Sequence, residues 1–168
     1  MISTSNDQVF VALGSNLRGN FPSVETLLDA ALARFAAAGL NVSRRSSWWR
    51  SASWPDATKP DYLNGVVVVE TMLDPRQTLT ALREIEAAFG RVRTIVNAPR
   101  TLDLDLIAHG RAVVATPTLE LPHPRAAERL FVIGPLAEIA PDWVHPTNGV
   151  TAAALATSAT VGLDARPA

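Results

Sequence analysis

The chain has 168 residues, with 15 basic and 16 acidic side chains and a formal net charge of −1. Hydrophobic residues make up 48% and charged residues 18%, which excludes a disordered chain and supplies enough apolar surface for one packed domain. Cysteine is absent, so disulfide scaffolds, thiolate nucleophiles and Cys-ligated metals are excluded.

Residues 1–8 are polar, without the apolar core of a leader, and no later run reaches the length that spans a bilayer. A cytoplasmic protein without a membrane partner is therefore expected. Val9-Phe10-Val11-Ala12-Leu13 is a short, unbroken apolar run, the pattern of a strand buried on both faces, and Gly14-Ser15-Asn16 ends it. Val24, Leu27, Leu28, Ala31, Leu32 and Phe35 form one apolar stripe, which predicts a helix from near Pro22 to Gly39. A second strand is predicted over Val42–Trp49, a loop over 50–62, and a third strand over Leu63–Met72.

Asp74-Pro75-Arg76-Gln77 then opens a helix, with Asp as N-cap, Pro at N1 and Gln at N3. Leu79, Leu82, Ile85 and Phe89 give that helix its core face, and Gly90 ends it. A loop over 91–101 leads to a strand over Leu102–Ile107. A Pro-punctuated stretch, a short helix near 125–129 and an apolar helix near 132–139 follow. The Ala- and Thr-rich residues 147–168 carry weak order signals and read as a peripheral, partly ordered tail, like residues 1–8. No linker or internal repeat divides residues 1–168, so a single domain is expected. The order strand, helix, strand, strand, helix, strand predicts an α+β, ferredoxin-like antiparallel sheet with helices on one face, plus C-terminal additions.

The chemistry gathers near the last strand. Leu102, Leu104 and Leu106 point one way and Asp103 and Asp105 the other, with the two carboxylates' Cβ atoms roughly 6.5 Å apart. At an effective dielectric of 20 they repel by about 2–3 kcal/mol, which a divalent cation would relieve; hard oxygen ligands suit Mg²⁺. A lone Asp-x-Asp fits a solvated edge strand equally well. Arg91, Arg93 and Arg100 lie in the preceding loop, and guanidinium groups beside paired carboxylates are what a metal–polyphosphate site requires. Surface pairing of these groups with one another is the plain alternative. Glu86 falls on the apolar side of its helix, either reaching out at the stripe's edge or pointing into a site.

Gly90-Arg91-Val92-Arg93 and Ala98-Pro99-Arg100-Thr101-Leu102-Asp103-Leu104-Asp105 carry a resemblance. Supporting it are Ala12-Leu13-Gly14-Ser15-Asn16-Leu17, Pro60-Asp61-Tyr62-Leu63-Asn64, Leu121-Pro122-His123-Pro124 and Arg129-Leu130-Phe131. From Val9 to Pro146 the chain resembles the 6-hydroxymethyl-7,8-dihydropterin pyrophosphokinases of folate biosynthesis. The resemblance implies an enzyme that moves a pyrophosphoryl group from ATP to the pterin hydroxymethyl oxygen and releases AMP. It implies that Asp103 and Asp105 hold two Mg²⁺ ions and that Arg91 and Arg100 assist catalysis. Glu86, Arg93, Arg100, Leu106, His123 and Arg129 would contact ATP. Ser51, Trp54, Tyr62, Asn64 and Phe131 would contact the pterin, with Tyr62 and Phe131 on its two faces. The implied partners are these two small molecules alone, without nucleic acid, and the expected state is a monomer.

Three departures from the family pattern stand out. Val96-Asn97-Ala98 replaces a basic residue and Trp in a loop one residue shorter, Pro124 stands where an aromatic often follows the His, and Ser51-Ala52-Ser53-Trp54 lacks a double proline. Two rivals are a ferredoxin-like RNA-binding module, opposed by the net charge and the lack of a stacking-aromatic motif, and a nucleotidyl transferase, which would release pyrophosphate instead of AMP.

Overall fold

The computed structural model describes residues 5–53, 55–90 and 101–168. A 3₁₀ turn (Ser5–Asp7) precedes β1 (Val9–Ser15), which is buried along its whole length as the apolar run predicts. α1 (Val24–Leu32) starts on Ser23, whose hydroxyl accepts the Thr26 N–H at 3.1 Å. It ends earlier than the stripe suggests. Past Leu32 the chain tightens into a 3₁₀ turn (Ala36–Ala38) and closes at Gly39 with φ 84°.

The single strand predicted over 42–49 is two, β2 (Asn41–Arg45) and β3 (Trp49–Ser51), both paired with β4 (Tyr62–Glu70). The break has a packing cause: Trp48 folds over Gly65 so closely that a Cβ there would sit 2.6 Å from its ring. α2 (Pro75–Ala88) carries the predicted capping box, with Gln77 N–H donating to Asp74 at 2.8 Å and the Gln77 side chain accepting the Asp74 N–H at 2.9 Å. β5 (Asp103–His109) follows, then a hairpin of β6 (Val114–Ala115) and β7 (Glu120–Leu121). The predicted short helix is a 3₁₀ turn (Ala126–Glu128), and α3 spans Leu130–Ile139. Residues 147–168 are not a loose tail. They form α4 (Ala152–Ser158), with Ala152 and Leu155 buried, and β8 (Arg166–Pro167).

The sheet runs β5–β1–β4–β3–β8, with β2 also on β4, and every pair is antiparallel. This contains the ferredoxin-like βαββαβ unit. Side chains alternate across it. Val9, Val11 and Leu13 meet Leu28 and Phe35 of the α1 region and Leu82 and Ile85 of α2. Phe10 and Ala12, with Val66, Val68 and Ile107, meet Ile133 and Leu136 of α3 and Leu155 of α4. The helices therefore cover both faces and not one, because α3 and α4 bury the second face. α3 is fastened to the β2–β3 turn through Glu138, which accepts from Ser47 N–H at 2.6 Å, Ser47 Oγ at 2.5 Å and Trp49 Nε1 at 3.1 Å.

Candidate functional site

At one end of the α3 face the side chains along β1 shrink from Phe10 to Ala12 to Gly14. Across the sheet, Gly14 lies between Asn64 of β4 and Asp103 of β5, and Ala12 between Val66 and Asp105. A Cβ at Gly14 would stand 2.8 Å from Asn64 Oδ1, so glycine is what lets this buried amide lie flat across the strand. Asn64 Nδ2 donates to the buried Ser51 Oγ at 3.1 Å, which fixes the direction of the amide.

The result is a cavity of about 230 Å³ lined by Ala12, Leu13, Gly14, Ser51, Ala52, Tyr62, Asn64, Asp103, Asp105, Arg129, Phe131 and Val132. Tyr62 opens β4 and Phe131 sits in the first turn of α3, so two aromatic rings reach the cavity from different layers. The Arg129 guanidinium lies 5.9 Å from the Phe131 ring centre, within cation–π range.

A second cavity, of about 250 Å³, lies over the exposed side of β5. It includes Leu106, His123, Leu79 and the 116–120 connection, and Asp105 lines it as well. One carboxylate thus stands where the two spaces meet. The His123 N–H donates to Ile107 O at 2.8 Å, and its Nδ1 accepts the Arg125 N–H at 3.2 Å. Burial holds the His123 imidazole below its ordinary range, the Asp105 carboxylate works against that shift, and Arg129 adds to it. Burial raises the Glu138 carboxyl, but its hydrogen bonds from Ser47 and Trp49 outweigh this and keep it below the ordinary carboxylate range.

Glu86 is 2% exposed, so it does not reach out to solvent. Its Oε2 accepts the Leu104 N–H at 3.1 Å, between the two aspartates on the edge strand. It lines neither cavity and acts on the backbone that carries the carboxylates. Just before that strand, Thr101 O accepts from Ser15 Oγ at 2.5 Å, and Thr101 Oγ1 donates to Phe89 O.

Asp103, Asp105, Ser51, Tyr62, Asn64, Phe131 and Arg129 therefore meet in one cavity, and Leu106 and His123 in the adjoining one. Trp54, Arg91, Arg93 and Arg100 lie outside the described residues, as does the Val96-Asn97-Ala98 departure. Among the described residues no group of three or more His, Asp or Glu side chains gathers as a metal cage. Two carboxylates do suit Mg²⁺, which takes one or two and completes its shell with water and phosphate oxygens. The sequence pattern alone does not single out Gly14, Ala12 and Ala52 as walls of the cavity. Gly14 inside an apolar run is the available signal, since an interior strand glycine marks a close approach.

The model of the family described as 7,8-dihydro-6-hydroxymethylpterin-pyrophosphokinase (HPPK) matches residues 10–141. A 2-amino-4-hydroxy-6-hydroxymethyldihydropteridine pyrophosphokinase of Synechocystis is 46% identical over 136 residues, covering 80% of this chain and 69% of that protein. The protein of the same name from Haemophilus influenzae is 39% identical over 141 residues, covering 84% and 86%. A folic acid synthesis protein of Pneumocystis carinii is 38% identical over 151 residues, but the chain spans only 20% of its length. The wild-type HPPK-DHPS crystal structure of Plasmodium falciparum superposes with a TM-score of 0.68 at 12% identity, over 89% of this chain and 44% of that one, a likeness of fold.

Proposed function

The chain belongs to the 7,8-dihydro-6-hydroxymethylpterin-pyrophosphokinase family, enzymes of folate biosynthesis, and on that premise we propose that the Tyr62–Phe131 cavity takes the pterin and the Leu106–His123 cavity the nucleotide. The observation that carries this reading is Asp105, which lines both spaces, with Asp103 beside it in the first.

Tyr62 and Phe131 would hold a flat heterocycle between aromatic faces, and the Asn64 amide, its direction set by Ser51, would match the donors and acceptors on its edge. Ser51 and Trp54 would present backbone groups to the same ring. Leu106 would pack on the adenine side, with His123 and Arg129 near the phosphates. Glu86 would serve the nucleotide site through the Leu104 backbone. Arg91, Arg93 and Arg100 would supply guanidinium groups to the triphosphate.

Asp103 and Asp105 would hold two Mg²⁺ ions, which when bound neutralise phosphate oxygens and acidify the pterin hydroxyl. The pterin hydroxyl would give its proton to solvent water as its oxygen bonds to the β-phosphorus of ATP. The bond from that phosphorus to the α–β bridging oxygen breaks, and AMP departs. The chain's own contribution is alignment and exclusion of water. A monomer as the working unit is part of the same proposal. No helix among the described residues is long and apolar enough to cross a membrane; the cytoplasmic setting is part of the proposal.

The test is incubation with ATP, Mg²⁺ and 6-hydroxymethyl-7,8-dihydropterin, with nucleotides resolved by chromatography. AMP should appear only when pterin and Mg²⁺ are both present. Release of inorganic pyrophosphate without AMP would instead point to nucleotidyl transfer.

A further inference from the structure

Segment 160–168 lies beyond residues 10–141 that match the family, yet it touches both walls of the cavity. The Thr160 and Val161 N–H groups donate to Glu128 O at 3.0 and 2.9 Å, and Val161 O accepts the Leu130 N–H at 2.9 Å. These bonds clasp the backbone on either side of Arg129, just before Phe131. Gly162, at φ 68°, lies directly against the Phe131 ring; a Cβ there would collide with Phe131 Cδ1. Two residues on, Asp164 Oδ2 accepts the Ala52 N–H at 2.7 Å. β8 then pairs with β3.

We propose that segment 160–168 is a positioning strap that, through Gly162 and Asp164, sets the spacing between the Phe131 wall and the Ser51–Ala52 wall, and thereby the affinity for the pterin ring more than that for the nucleotide. Gly162 is the seat of the aromatic ring, and Asp164 is the anchor of the opposite wall. Neither lines the cavity, so both act through the residues they hold. The proposal rests on reading that cavity as the pterin site. An edge strand that merely closed the sheet would have no reason to favour one ligand over the other.

The test uses the full chain with Asp164→Ala, Asp164→Asn and Gly162→Ala. Kd is measured for 6-hydroxymethylpterin in the presence of Mg²⁺ and α,β-methylene-ATP, and separately for the nucleotide analogue, beside the thermal midpoint. Loss of a charge-assisted bond at an exposed edge should weaken pterin binding about three- to tenfold in Asp164→Ala. Asp164→Asn keeps an acceptor oxygen and should lose less, with nucleotide affinity unchanged in both. Gly162→Ala should show the larger pterin defect; where it fails to fold, the Asp164 pair decides. Equal losses for both ligands, or an unchanged pterin Kd, would overturn the strap while leaving the cavity reading intact. A wild-type chain that binds the nucleotide analogue but no pterin would overturn the cavity reading and the strap with it.

Discussion

The two faces of the sheet are built from the same strands and do opposite things. On the α1–α2 face, Val9, Val11 and Leu13 are all large and all buried, and the neighbouring Leu104 and Leu106 join the same layer while lining the second cavity at its edge. On the other face the alternate positions of β1 decline to Ala12 and Gly14, while β5 offers Asp105 and Asp103 in place of apolar side chains. Helix α3 packs on Phe10, Val68 and Ile107 at the full end and leaves the shallow end open as the cavity. A binding site needs no separate domain here. Removing side-chain volume from every second residue of one strand is enough, because the opposite face keeps the strand folded.

The strongest way to break the comparison is to neutralise the carboxylates. Asp103→Asn and Asp105→Asn should each lower kcat/KM by on the order of 10³-fold or more, since metal and phosphate alignment both depend on them. In Asp105→Asn thermal stability should hold or rise slightly, because one of two like charges on one face is removed. Steady-state kinetics beside a melting curve checks both halves. Activity within tenfold of wild type in either variant would remove the aspartates from the catalytic role.

Two residues on opposite faces of β1 offer a sharper contrast. Gly14→Ala would drive a methyl group to 2.8 Å from Asn64 Oδ1, so the amide must turn away from its bond to Ser51. The expected result is a rise in the pterin KM of about tenfold, with little change in the KM for ATP. Val11→Ala, on the same strand but packed on the α1–α2 face, should instead cost about 2 kcal/mol of stability and leave the KM values of the surviving folded protein near normal. Similar kinetic defects in the two variants would mean the faces are not functionally separate.

Much of this contrast is legible in the amino-acid sequence. The alternation Leu102-Asp103-Leu104-Asp105 sorts the carboxylates onto one face, and the capping residues of α2 lie where their chemistry requires. The run Val9–Leu13 reveals a strand buried on both sides, but not which side is hollow. That depends on Gly14 meeting Asn64 from a distant strand, a contact no local pattern encodes. The break between β2 and β3 is hidden for a related reason, since Trp48 needs a glycine on a different strand to lie over. Residues 147–168 mislead because their small side chains give little periodicity. Their order comes from backbone hydrogen bonds to Glu128 and Trp48 and from the buried Leu155.

Glu86 tests whether the closed face supports the open one. It reaches from α2 to the Leu104 N–H, the one backbone N–H between the two aspartates. Glu86→Leu should leave that buried donor unpaired and destabilise the chain by about 1–3 kcal/mol, with faster hydrogen exchange at the Leu104 amide. Glu86→Gln retains an acceptor oxygen and should restore most of the stability and the exchange protection. Unchanged protection in Glu86→Leu would show that β5 holds its shape without help from α2.

The smallest effect probes the seam between the two cavities. Burial depresses the His123 pKa from 6.5, and the Asp105 carboxylate raises it in opposition. His123 Nδ1 accepts the Arg125 N–H, a bond that requires the unprotonated nitrogen. Because the folded pKa lies below the unfolded one, stability is fully present above about pH 6.5 and is lost as pH falls through the folded pKa. Burial and the Arg111 guanidinium shift His145 in the same direction, so both rings contribute to the same acid-side loss. Asp105→Asn takes away only the opposing carboxylate at His123. In metal-free protein its imidazole should titrate at a lower pH than in the wild type, while His145, whose shift comes from burial and Arg111, should not move. Proton NMR of the two rings separates them. A His123 midpoint that stayed put or rose would mean that Asp105 does not face the second cavity, and the shared carboxylate on which the two-cavity site depends would be lost.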